Sequence, residues 1–125
     1  MAVFANGQVE TMSRKSSNLD LYSEVEFKLS AIDREMKRIE YWTFESLPDE
    51  AYDFQEAFAM DTMAFSQWLQ FIFIPRVRSI IEQKGDFPSE SMVGTQAARE
   101  FEGDGNASEL VTLLSEFDEL FRKNK

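Results

Sequence analysis

The segment Asp61-Thr62-Met63-Ala64-Phe65-Ser66-Gln67-Trp68-Leu69-Gln70-Phe71-Ile72-Phe73-Ile74-Pro75-Arg76 decides how the rest of this chain is read. Between Trp68 and Ile74 only Gln70 is polar. A helix that is apolar on every side is surrounded either by other protein elements or by lipid. The run falls well short of the ~20 apolar residues that span a bilayer, and Arg76 and Arg78 close it off. The sequence therefore predicts a buried central helix. Asp61 or Thr62 caps its start, and Lys84, Gly85 and Pro88 form a stop signal. Pro75 lies inside the pattern, where it removes an amide donor and presses its ring on the Phe71 carbonyl. A kink is expected there, wrapping the helix around the core or freeing the Phe71 carbonyl for a ligand or partner.

What surrounds this helix is legible on both sides of it. Tyr22, Val25, Leu29, Ile32, Met36 and Ile39 recur at steps of three and four, which is one stripe of a helix from about Asn18 to Trp42. Ser17 and Asp20 stand at capping-box spacing before it. Glu24–Lys28 and Asp33–Lys37 supply pairs four residues apart on its outer face. That stripe suits an intramolecular bundle better than a coiled-coil dimer, because further helical segments follow. Pro48 with Asp49 and Glu50 opens a short helical strap whose expected anchors are Tyr52, Phe54 and Phe58. After a loop from Asp86 to Gly94, a short helix is expected from Thr95 to Phe101. A last one runs from Ala107 to about Arg122, capped by Asn106 with Glu109 and striped by Leu110, Leu114, Phe117 and Phe121. The fold class is all-α: a compact four-to-five-helix bundle around a Pro-kinked apolar central helix.

At 125 residues the chain fits one domain, expected over residues 18–123, with 1–17 as a flexible tail in which Met12 is a candidate initiator. Twelve Phe and 43% hydrophobic residues are enough for a core. Cys is absent, and with it disulfides and thiolate chemistry. His is absent too, which removes the commonest general base and transition-metal ligand. The net charge of −10 argues against nucleic-acid or anionic-membrane surfaces, which are bound by clustered Lys and Arg. The acid is concentrated. Between Ile39 and Pro75 there are seven carboxylates and no Lys or Arg. Such a stretch is either a solubilising face or a docking face for a basic partner. No signal-peptide pattern opens the chain, so a cytoplasmic location is expected.

Several of these residues together carry a family likeness: M-D-T-M (Met60 to Met63), W-L-Q-x-x-x-I-P-R (Trp68 to Arg76), Phe87-Pro88, L-x-x-F-D-x-L-F (Leu114 to Phe121), and the first helix closing on Trp42. Over roughly Leu19 to Phe121 the chain resembles the YqcC-like family of small bacterial proteins. The resemblance implies a compact all-α domain without an established biochemical activity. That family is sometimes labelled tRNA pseudouridine synthase C. Such synthases resemble one another around an H-R-L-D segment that supplies a catalytic Asp, and this chain has no His. The catalytic role is therefore not expected here, and an accessory relationship is left as an alternative.

The candidate contact residues are Asp61, Trp68, Gln70 and Arg76 around the central helix, and Glu50, Asp53 and Glu56 on the strap. Arg76 is expected to pair with Asp61, or with Asp53 or Glu56, as a polar clamp. Alternatively, Trp68, Gln70 and Arg76 line a cleft for an anionic or aromatic ligand. Paired acids such as Glu116 and Glu119 lack the opposed placement that hydrolysis needs. Asp104-Gly105-Asn106 resembles the start of a calcium loop, but Glu109 stands where Gly is required and Ser115 where Glu is. No catalytic residue, cofactor or metal is expected. The expected function is non-enzymatic contact with a protein partner, as monomer or homodimer. The alternatives are a small-molecule binder near Pro75 and an accessory to tRNA pseudouridylation.

Overall fold

The computed structural model describes residues 12–123, with side chains described for 21–122. Among the described residues there is no strand. Helix α1 spans Met12–Arg38. Its periodic stripe is buried as expected, with Val25, Leu29, Ile32 and Met36 fully enclosed. Its start is earlier than predicted, so Ser17 lies inside the helix rather than capping it. Residues 1–11 of the expected tail lie outside the described residues. The helix ends at Arg38 instead of Trp42 because Glu40 takes a left-handed conformation (φ 65°). The Tyr41 amide then bonds back to the Met36 carbonyl and the Glu40 amide to that of Lys37. This is the Schellman closure, made without the usual glycine.

The strap follows, with 3-10 turns at Asp49–Tyr52 and Ala57–Ala59. Pro48, expected in the first turn, stands just before it, and of the expected anchors Phe54 and Phe58 pack against the core while Tyr52 does not. Tyr52 is exposed, and Ala51 and Ala59 are the buried residues, with Phe54 and Phe58 partly covered. Phe58 and Ala59 both have positive φ, 58° and 53°. Two consecutive left-handed residues with side chains are costly. They are held by packing: Phe58 stacks edge-on to Phe65 and Trp68, at 5.8 and 5.0 Å between centroids.

The central helix, α2, covers residues 65–83. It is α-helical over Phe65–Trp68, widens to a π turn over Leu69–Phe73, and resumes as α over Ile74–Gln83. The expected irregularity at Pro75 takes this form. Pro75 sits in the first turn of the resumed helix, where no amide is needed, and the extra residue of the π turn comes before it. The stop also differs by one position: Lys84, not Gly85, is the left-handed cap (φ 55°).

Helix α3 spans Val93–Glu100 and α4 spans Ser108–Lys123. Gly94, expected in a loop, lies inside α3 because the α3 backbone passes against α4 there: a Cβ on it would stand 2.5 Å from the Ser115 Cα. Asn106, expected to cap α4, lies inside a 3-10 turn over Gly105–Ala107, and Asp104 caps that turn. The Asp104 carboxylate accepts from the Asn106 amide at 3.1 Å and also from the Tyr41 hydroxyl.

Long-range pairs fix the topology. Gln70 meets Thr43, while Tyr22 donates to the Gly85 carbonyl at 2.7 Å, so α2 runs antiparallel to α1. Lys28 pairs with Glu116 at 2.7 Å, and α3 returns along α4. The result is an up-down-up-down bundle of four helices. A continuous chain of ring contacts crosses it: Tyr41, Phe101, Phe65, Trp68, Phe73, Phe117, Phe121, Phe87, Tyr22.

Candidate functional site

The central helix carries three of the candidate residues, and the fold separates them. Gln70 is buried and faces the segment after α1. Its Oε1 accepts from the Thr43 amide at 3.0 Å and its Nε2 donates to the Thr43 carbonyl at 2.7 Å. Both halves of the amide are satisfied by one backbone unit, so Gln70 anchors the start of the strap. It does not line a cleft with Trp68 and Arg76.

Asp61 does not cap the central helix either. Its carboxylate accepts from the amides of Gln55 and Glu56, at 2.9 and 3.3 Å. Those donors, the Gln55 amide first, hold its carboxyl below the ordinary aspartate range. Next to it the Thr62 hydroxyl donates to the Ala51 carbonyl at 2.6 Å. Together the two residues fold the strap onto itself across the strained Phe58–Ala59 pair.

The expected pairing of Arg76 with Asp61, Asp53 or Glu56 is not formed. Arg76 is exposed, and among the described residues its side chain has no hydrogen bond or salt bridge. Asp61 is engaged by backbone amides instead, and Arg76 lies six residues beyond Gln70, the residue that meets the strap. Arg78 is the cation that bonds inward, to Asp33 at 3.2 Å.

Trp68 and Arg76 do meet at one feature. A cleft of about 260 Å³ runs between α2, the Phe87-to-Val93 segment and the end of α4. Its floor is Trp68, Phe73, Val77, Phe87, Phe117 and Phe121, and among the described residues Arg76 is the one cation on its lining. The far wall is positioned by Asp118, whose buried carboxylate accepts from the Ser91 hydroxyl at 2.5 Å and the Val93 and Gly94 amides at 3.1 and 2.7 Å. It thereby caps α3 from a neighbouring helix. Burial pushes the Asp118 carboxyl up, against the pull of these donors. Sequence reading missed Asp118 as a cap, since the donors it serves lie 24 to 27 positions away.

On the strap, Glu50, Asp53 and Glu56 are all exposed. Among the described residues none of them forms a salt bridge; the bridges belong to α1, α2 and α4. No group of three or more acids able to hold a metal occurs among the described residues. No described helix is long and apolar enough to cross a membrane.

Fold and site define a small four-helix domain with an apolar cleft and an acidic strap. The family model described as "DUF446: tRNA pseudouridine synthase C" matches residues 24–120, and the chain belongs to that family. An uncharacterized protein of Haemophilus influenzae is 29% identical over 93 residues, covering 72% of this chain and 85% of that one. The uncharacterized protein YqcC of Escherichia coli is 25% identical over 67 residues, 54% of this chain and 62% of that one. A Pectobacterium carotovorum protein named tRNA pseudouridine synthase C is 29% identical over 66 residues, which is 53% of this chain but 18% of that one. The solution structure of E. coli YqcC superposes with a TM-score of 0.75 at 22% identity, covering 84% of this chain and 91% of that one. The fold is thus shared with YqcC. Of the residues that carry the resemblance in sequence, Trp68, Arg76, Phe87, Pro88, Phe117 and Phe121 line the cleft.

Proposed function

We propose that this chain is a non-catalytic adaptor domain that works by contact with a basic protein partner through the acidic strap. The observation that carries this reading is the strap's unneutralised charge. Glu50, Asp53 and Glu56 are exposed without a salt bridge among the described residues, in a stretch without Lys or Arg from Ile39 to Pro75. Carboxylates in that state attract a cationic surface at long range and fix its orientation. The partner proposed is the tRNA pseudouridine synthase of the same cell, an enzyme that needs a basic surface to hold RNA. Supporting this choice, the match to the Pectobacterium protein of that name spans only 18% of its length, so most of that protein lies beyond the adaptor-like part. On this reading the chain acts in the cytoplasm, contributes no catalytic group and binds no RNA itself.

The test is calorimetric titration of the purified chain into the synthase from the same bacterium. The expected outcome is a complex that weakens with salt and loses at least tenfold in affinity in the E50K/D53K/E56K variant. No complex, or affinity indifferent to the three reversals, overturns the reading.

A further inference from the structure

The cleft beside α2 has one feature that packing does not account for. Its lining is apolar and aromatic, yet a guanidinium stands over it, and among the described residues Arg76 meets no carboxylate. Arg78, two residues on, shows what a paired arginine looks like in this fold, bonded to Asp33. Glu90 also lines the cleft, but it is engaged in an interaction of its own. The Ser91 hydroxyl there is spent on Asp118. Among the described residues Arg76 is thus the polar group at the cleft whose side-chain donors are uncommitted.

Size narrows the occupant. At about 260 Å³ the cleft lies below the roughly 300–1,000 Å³ of pockets for drug-sized ligands. It equals the volume of about nine liquid waters, so on the order of ten non-hydrogen atoms fill it. The geometry points to a binding site for a small apolar monocarboxylate, such as a medium-chain fatty acid. Its chain lies on Trp68, Phe73, Val77 and Phe117, and its carboxylate is held by Arg76. A guanidinium presents a planar fork that matches a carboxylate bidentately, and an apolar wall beside it strengthens the pair by excluding water. This site is independent of the acidic strap.

Decanoate is the probe, titrated into the full chain below its micelle threshold and followed by calorimetry and by heteronuclear NMR shifts of the cleft amides. The expected result is saturable binding of one decanoate per chain. Decanol, of the same length without the charge, binds at least tenfold more weakly. In the Arg76→Gln variant decanoate falls to the level of decanol. The Arg76 side chain makes no bond to the described fold, so this variant keeps its melting temperature. A second variant, Ile80→Trp, fills the cleft from its α2 wall and abolishes binding of both probes. Equal affinity for decanoate and decanol, retention of decanoate binding in Arg76→Gln, or shifts spread over the surface instead of the cleft overturns the site. So does the absence of binding.

Discussion

At Gln70 a single amide side chain closes two hydrogen bonds on the backbone of Thr43, inside an otherwise apolar helix. Burying an amide in such a place is tolerable only because both of its ends are met, and removing it strands two backbone groups. Gln70→Ala is expected to destabilise the fold by about 1–3 kcal/mol, read from urea melts, and to loosen residues 43–47 in hydrogen exchange. Asp33 is the corresponding anchor between α1 and α2, bonded to Lys37 at 2.8 Å and Arg78 at 3.2 Å. Burial pushes its carboxyl up, but the hydrogen bonds and charge of Lys37 and Arg78 outweigh this and hold it below the ordinary aspartate range. A carboxyl depressed on folding contributes stability above its unfolded pKa and loses it as pH falls through the folded value. Asp33→Asn is therefore expected to lower the melting temperature at neutral pH. At pH values below the depressed carboxyl range its melting temperature meets that of the wild type. Asp118 acts with the opposite sign: burial raises its carboxyl, so its contribution falls as pH rises from the ordinary aspartate range toward the raised value.

Among the elements, α3 shows how a short helix is held in place by its neighbours. Eight residues are too few for a helix to persist alone. Its N-terminal amides are met by Asp118 of α4, and Gly94 lets its backbone close onto Ser115. A methyl group there meets backbone atoms at 2.5 and 2.7 Å, which cannot rotate away. Gly94→Ala is expected to cost about 1–3 kcal/mol by forcing α3 off α4, with the largest chemical-shift changes at residues 93–97 and 112–118. The central helix makes a related point about what sequence can say. Pro75 announced an irregularity, and its place was legible from the chain. Its form was not, because a kink and a π turn both resolve the missing amide, and packing of Leu69, Ile72, Phe73 and Ile74 selects between them. The caps were the least legible. Glu40 ends α1 short of Trp42 and Lys84 takes the left-handed place expected of Gly85, since tertiary contacts fix where each helix must stop.

Across the whole molecule, the charge of −10 is divided between neutralised and bare regions. The helices α1 and α4 carry cross-paired acids, while the strap keeps its carboxylates unpaired among the described residues. Reversing Glu50, Asp53 and Glu56 to Lys therefore removes self-repulsion and breaks no bridge. The melting temperature is expected to hold or rise in the triple variant, which separates any loss of partner binding from loss of fold. The apolar stripes and the surrounded central helix were determined by the sequence itself, because periodicity of burial is a local property of the chain. So was the absence of His and Cys chemistry. Which polar residue serves which neighbour was decided only by the tertiary structure. The segment 61–76 shows the division. Its apolar residues packed as read, while Asp61 turned to the strap, Gln70 to Thr43, and Arg76 to the cleft beside Trp68. The partner of Gln70 lies 27 residues away and the cleft that Arg76 lines is closed by α4, and no local pattern encodes a distance that exists only once the helices have packed.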